Sequence, residues 1–168
     1  MKQTLKYIYE RQIELMRYAE TKHSITITLA SAVIAFVSTL FSESQLLNIF
    51  SSVSIVLALI SIIYSFVALS AKKTSVRKKN PNNHKINLMR YSSIIHYDEH
   101  SYVSDIKTSY GFPTTYKPDE FDYDLARQVI VTAKSVWIKF TYFNFALVFL
   151  FLSVLSAIIA VWLRGTFL

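Results

Sequence analysis

The chain of 168 residues has no cysteine, two glycines and three prolines. Without cysteine there is no disulfide, no thiol nucleophile and no cysteine-ligated zinc. Glycine and proline stay outside every apolar run, which removes the frequent turns of an all-β chain and favours long, uninterrupted helices. A membrane β-barrel is excluded on the same ground, since it needs many short alternating segments separated by turn residues. No glycine-rich phosphate loop occurs. The 18 Lys and Arg exceed the 11 Asp and Glu, but without a groove-reading helix or stacking aromatics no nucleic-acid partner is expected. The first 23 residues lack the plan of a signal peptide, because Glu10, Glu14 and Glu20 stand where an apolar region belongs.

What is abundant is apolar surface. Hydrophobic residues make up 52% of the chain and the mean hydropathy is +0.33, which leaves little material for a separate soluble domain. Residues 24–41 and 46–71 are apolar runs broken only near Glu43. Each is about long enough to cross the roughly 30 Å hydrocarbon core of a bilayer, so together they read as a transmembrane hairpin. A third run, 138–163, has Trp137 and Trp162 as interfacial anchors and Lys139 at its edge. The predicted fold class is an all-α membrane protein with three transmembrane helices, the first and third extending into the cytoplasm, and a small helical cytoplasmic segment. The expected divisions are an amphipathic helix over 1–23 continuous with the first span, the hairpin over 24–71, a cytoplasmic segment over 72–137, the third span over 138–163 and an external tail over 164–168.

Charge gives the orientation. Lys2, Lys6, Arg11, Arg17 and Lys22 precede the first run, Lys72, Lys73, Arg77, Lys78 and Lys79 follow the second, and the loop at Glu43 has no cation. Basic flanks stay inside, so the N-terminus and the middle segment are expected in the cytoplasm and the C-terminus outside. Contact of these cations with anionic lipid fits the same pattern. Within the runs, small and hydroxylated residues recur at spacings of 3 and 4: Ser24, Thr28, Ser31, Ala35, Ser38 and Ser42, then Ser51, Ser54, Ala58, Ser61, Ser65 and Ala68, and the third run has a like seam of Ala146, Ser153, Ser156 and Ala160 with Phe149 among them. Such spacings keep each set on one helix face. Lipid offers no hydrophobic drive between helices, so these faces are expected to be seams where backbones approach and hydroxyls bond across, with a wetted pore as the other use of a polar stripe.

Local signals place the remaining elements. Leu5, Ile8, Tyr9, Ile13, Leu15, Met16 and Ala19 form an apolar stripe that predicts one helix from about residue 4 to about residue 41, with a protein partner or lipid against the stripe. Asn80-Pro81-Asn82-Asn83 is a turn signal, 86–106 holds one or two short helices, one of them starting near 97–100, and 109–119 is loop. Asp119, Asp122 and Asp124 then supply the acidic first turn of a helix with no stop before Trp162. His96-Tyr97-Asp98-Glu99-His100 fits H-x-x-E-H, a zinc-protease pattern that needs both histidines on one helix, against the plainer reading of a solvated helix start. Tyr91, Tyr97, Tyr102, Tyr110, Tyr116 and Tyr123 crowd the middle segment, where a ring that packs and a hydroxyl that stays wet suit a membrane-facing surface.

Three short stretches resemble a known family. Arg17-Tyr18-Ala19-Glu20-Thr21-Lys22 leads into the first span, Ile86-Asn87-Leu88-Met89-Arg90-Tyr91 follows the second, and Leu125-Ala126-Arg127-Gln128, Ser135 and Lys139-Phe140 lead into the third. They are similar to the membrane effector domain of bacterial pyrimidine cyclic-nucleotide antiphage systems, the Pycsar effector family, over most of the chain. The resemblance implies an abortive-infection effector, turned on by a signal made during phage infection, that impairs the inner membrane. By position Lys22, Gln128, Ser135 and Lys139 stand for the family's motif residues.

The reading that follows is a non-enzymatic inner-membrane effector with the lipid bilayer as its medium, a second copy of itself as partner, a cyclic nucleotide as messenger, and no cofactor or metal. Its homo-oligomer is built on the helix seams of Ser24, Thr28, Ser31, Ser38, Ser54, Ser61, Ser65, Ser153 and Ser156. Lys22, Arg127, Lys134 and Lys139 are expected near the cytoplasmic interface, against lipid headgroups or an anionic messenger. Two rival classes are a membrane-embedded zinc metalloprotease using His96, Glu99 and His100, and a passive membrane anchor for a partner protein.

Overall fold

The computed structural model describes residues 1–41, 44–70 and 87–166. Five helices follow in order: α1 (Lys2–Ser38), α2 (Gln45–Ser70), α3 (Tyr91–Ile94), α4 (Glu99–Ser109) and α5 (Glu120–Thr166). No strand occurs among the described residues. Three of the helices, α1, α2 and α5, are long and apolar enough to cross a membrane, so the expected all-α class and the three spans stand. Ser42, Glu43, the basic run from Lys72 to Lys79, the Asn80-Pro81 turn and Ile86 lie outside the described residues. The chain divides into two units, and α1 and α5 each contribute to both. The breaks fall after Ala19 and Lys139, close to the ends expected for the spans.

The first unit comprises Met1–Ala19 and Ala71–Lys139. Its core gathers Leu5 and Ile8 of α1, Leu88, Ile94, Ile95 and Tyr97, Tyr102, Val103 and Ile106 of α4, and Ala126, Val129, Ile130 and Ala133 of α5. Each fully buried Ile or Val contributes about 1.5–3 kcal/mol relative to exposure. Two buried side chains of this unit bond to carbonyls of the segment before α3. The Tyr102 hydroxyl donates to the Leu88 carbonyl at 2.7 Å, and Gln12 Nε2 donates to the Met89 carbonyl at 3.0 Å. The helix ends are built from the residues that the sequence places there. Asp98 caps α4 by accepting from the amides of His100 and Ser101. At the start of α5, Asp119 Oδ1 accepts from the Asp122 amide at 3.0 Å while Asp122 Oδ2 accepts from the Asp119 amide at 3.2 Å, a reciprocal capping box made with aspartate. Lys107 Nζ donates to the carbonyls of Thr114 and Tyr116 and so ties down the loop between the two helices.

The second unit comprises Glu20–Ser70 and Phe140–Leu168. Its two buried clusters join all three long helices: Val37, Leu40, Leu47, Ala157 and Ala160 in one, and Ala30, Ala58 and Leu150 in the other. Outward, α2 shows Leu46, Ile49, Val53, Val56, Leu59, Ile63 and Phe66, and α5 shows Phe145, Val148, Phe151, Leu155, Ile158 and Trp162, all exposed. A contiguous apolar surface of this size belongs in lipid.

Candidate functional site

Small residues decide how the membrane helices meet. Ser51, Ser54, Ala58, Ser61, Ser65 and Ala68 of α2 are all buried, and so are Ala146, Ser153, Ser156 and Ala160 of α5. Across this contact Ser54 and Ser153 each donate to the other's carbonyl, at 2.9 and 2.8 Å, with their hydroxyl oxygens 3.1 Å apart. Ser61 donates to the Ala146 carbonyl at 2.7 Å and Ser156 to that of Phe50 at 2.8 Å. One hydroxymethyl group is short enough to let the backbones close up and long enough to reach a carbonyl on the facing helix.

The α1 stripe is placed differently from a seam within one protomer. Ser24, Thr28, Ser31, Ala35 and Ser38 are exposed, and the inward face carries His23, Thr26, Ala30 and Val37 instead. The physical reason lies in the hydroxyls: Ser24 donates to Glu20, Thr28 to Ser24 and Ser38 to Ile34, each to a carbonyl one turn earlier in its own helix. They need no partner across a contact, so apolar and small residues on the opposite side are free to set the packing. Gln12, Ala19, His23, Thr26, Ala30 and Val37 recur at 3, 4 and 7 and are all buried. That spacing was present in the chain, masked by polar residue types in three of its six places.

The cations expected at the interface differ in their surroundings. Lys22 Nζ lies over two aromatic rings of α5, 5.7 Å from the centroid of Phe140 and 4.9 Å from that of Phe143. His23 meets Phe143 edge to face at 5.7 Å. A cation over a ring face gains about 0.5–2 kcal/mol, which fixes Lys22 against α5. Arg127, in the first unit, reaches Glu99 at 3.3 Å and Asp124 at 3.2 Å. Two carboxylates thus flank the one guanidinium. Glu99 is held below its usual range by its own backbone amide and then by Arg127. Lys134 is half-buried, and Lys139 is buried at 4% exposure. Gln128 is exposed and Ser135 half-buried; seven residues apart, they lie on one face of α5 with the exposed Asp124 and Val131, and the Ser135 hydroxyl donates to the Val131 carbonyl.

The zinc-protease alternative loses its geometry. Asp98 is the cap of α4, so His96 precedes the helix and only His100 is on it. The His100 ring packs on Tyr123 at 4.8 Å, and Glu99 is engaged by Arg127. Among the described residues no three His, Asp or Glu side chains gather as a metal site would require.

A family model described as the Pycsar effector protein domain matches residues 4–164, a stretch that takes in α1 to α5 almost entirely. No curated protein and no solved structure matches the chain.

Proposed function

Because the chain belongs to the Pycsar effector protein domain family and is thus a membrane effector of the Pycsar antiphage system, we propose that it stops infection by oligomerising in the bacterial inner membrane and breaking its integrity. The observation that carries this reading is the outward stripe of α1. The bulky side chains of α2 and α5 suit lipid, whereas Ser24, Thr28, Ser31, Ala35 and Ser38 present a narrow hydroxylated face that suits close approach of another helix. A second copy of this chain supplies one. In this reading the N-terminus and the first unit are cytoplasmic and the C-terminus is external, as the basic flanks direct.

The trigger is a cyclic nucleotide made during infection, and the protein acts without turning over a substrate. In this reading Lys22 and Lys134 each offer a cation to an anionic headgroup or to the messenger, while Arg127 pairs with its two carboxylates. The test is membrane potential in cells that carry the inducible chain. Induction, with the cognate cyclase or with the chain in excess, should depolarise the inner membrane before growth stops. The variant with both His96→Ala and His100→Ala should do the same. Growth arrest with a fully polarised membrane would end the proposal, and stoichiometric zinc together with loss of toxicity in the histidine variant would favour the protease.

A further inference from the structure

The contact between α2 and α5 holds more hydroxyl than packing asks for. Ser51, Ser54, Ser61, Ser65 and Ser153 are 0% exposed and Ser156 is 7% exposed. Helical rise puts Ser51 and Ser65 about 21 Å apart along α2, a large part of the roughly 30 Å apolar core of a bilayer. Four of the six are bonded across the contact as described, but Ser51 Oγ and Ser65 Oγ, at the two ends of the file, are buried with no hydrogen-bond partner among the described residues. A hydroxyl removed from water and left unbonded is destabilising. Alanine at those places would fill nearly the same space without the cost. Water is small enough to satisfy a lone buried hydroxyl, and side chains that both donate and accept are the walls a file of waters needs.

The file is interrupted once. Between Ser54 and Ser61 the α2 face carries Ala58, which packs with Ala30 of α1 and Leu150 of α5, bordered by Val33, Ile34 and Ile62. Ala58 is near the middle of α2, so hydroxyls and carbonyls lie on either side of an apolar collar: Ser54, Ser153, Ser156 and the Phe50 carbonyl on one, Ser61, Ser65 and the Ala146 carbonyl on the other. A short apolar constriction between polar walls stays dry and blocks conduction until it widens.

The geometry points to a hydroxyl-lined path for water and protons inside the three-helix unit of one protomer, held shut at mid-span by Leu150 against Ala30 and Ala58. Opening requires the α2 and α5 hydroxyls to exchange one another for water. The path deepens the membrane-impairing reading and rests on it, naming the route and the permeant species.

The test uses the full chain in vesicles of phosphatidylethanolamine and phosphatidylglycerol, with an internal pH dye and a potassium gradient clamped by valinomycin. Leu150→Ser, which places a hydroxyl in the collar, should raise proton influx several-fold over wild type. Leu150→Thr, which keeps more of the side chain's volume, should do the same if the serine variant folds poorly. Leu152→Ser, on the exposed face of α5, should leave the rate unchanged. Adding Ser51→Ala and Ser65→Ala to the Leu150 variant should return influx to the wild-type rate, an effect that mere loosening of the helices would not show. Wild-type influx in both folded Leu150 variants, or influx that persists after the two alanines, would overturn the path. Failure of the path and failure of the function separate in cells. A wild-type chain that never depolarises the membrane ends both, whereas depolarisation undiminished by Ser51→Ala and Ser65→Ala ends the path alone.

Discussion

At the scale of single residues the first unit is held by polar side chains that serve helix ends. Tyr116 donates to Asp122 Oδ2 at 2.6 Å, and ionising the phenol would set two negative oxygens against each other. The hydrogen bond to Asp122, followed by burial and by charge, raises the Tyr116 pKa to about 12. A raised pKa means that the folded state favours the protonated phenol. Its contribution is therefore complete below the ordinary tyrosine value of about 10 and is lost as pH climbs through about 12. Tyrosinate absorbance of wild type minus Tyr116→Phe should show that midpoint, and Asp122→Asn should bring it down; a difference titrating near 10 would contradict the bond. Asp98 teaches the complementary point. H-x-x-E-H as a pattern in the sequence does not say where a helix begins, and a single capping aspartate between the histidines took them off a common face.

Helix termini were the most legible elements. Asp119 and Asp122 announced the start of α5 because acidic side chains satisfy first-turn amides in any context, and the loop expected over 109–119, which contains Gly111 and Pro113, follows α4. Gly111 has φ +69°, its amide reaches the Thr108 carbonyl, and that of Phe112 reaches Lys107, which closes α4 in a Schellman motif. A Cβ there would meet nothing within 4 Å, so Gly111→Ala costs only the backbone preference, about 1–2 kcal/mol. For a chain of this size that should lower the Tm by roughly 2–8 °C in calorimetry of the detergent-solubilised protein, and an unchanged Tm would show that the turn does not hold the left-handed conformation. The facing of α1 was not legible in the same way. Both sides of that helix carry small or polar residues at 3 and 4 spacing, and a serine bonded to its own helix says nothing about which side turns inward. In α2 and α5 the opposite sides are bulky and apolar, so the serines had one place to go.

For the whole molecule, two experiments separate what one chain does from what several do together. The chain has no cysteine, so single cysteines at Ser44, Ser104 and Thr166 report topology cleanly. An impermeant thiol reagent on spheroplasts should label the first and third and spare Ser104, as basic flanks on the inside require; labelling at Ser104 would invert the orientation. Assembly is tested by two leucines of similar bulk. Ser61 is buried and bonded to the Ala146 carbonyl within one protomer, so Ser61→Leu forces α2 and α5 apart and removes a bond worth about 0.6–1.7 kcal/mol in a membrane helix pair. It should reduce the amount of stable protein in the membrane. Ser31 is exposed on α1, so Ser31→Leu leaves that packing intact and widens only the face offered to another copy. It should insert and accumulate at the wild-type level, with crosslinked oligomers lost and depolarisation lost with them. Normal crosslinking in a stably inserted Ser31→Leu chain would remove α1 as the contact between copies. Loss of crosslinking with undiminished depolarisation would show that a single three-helix protomer is enough to injure the membrane.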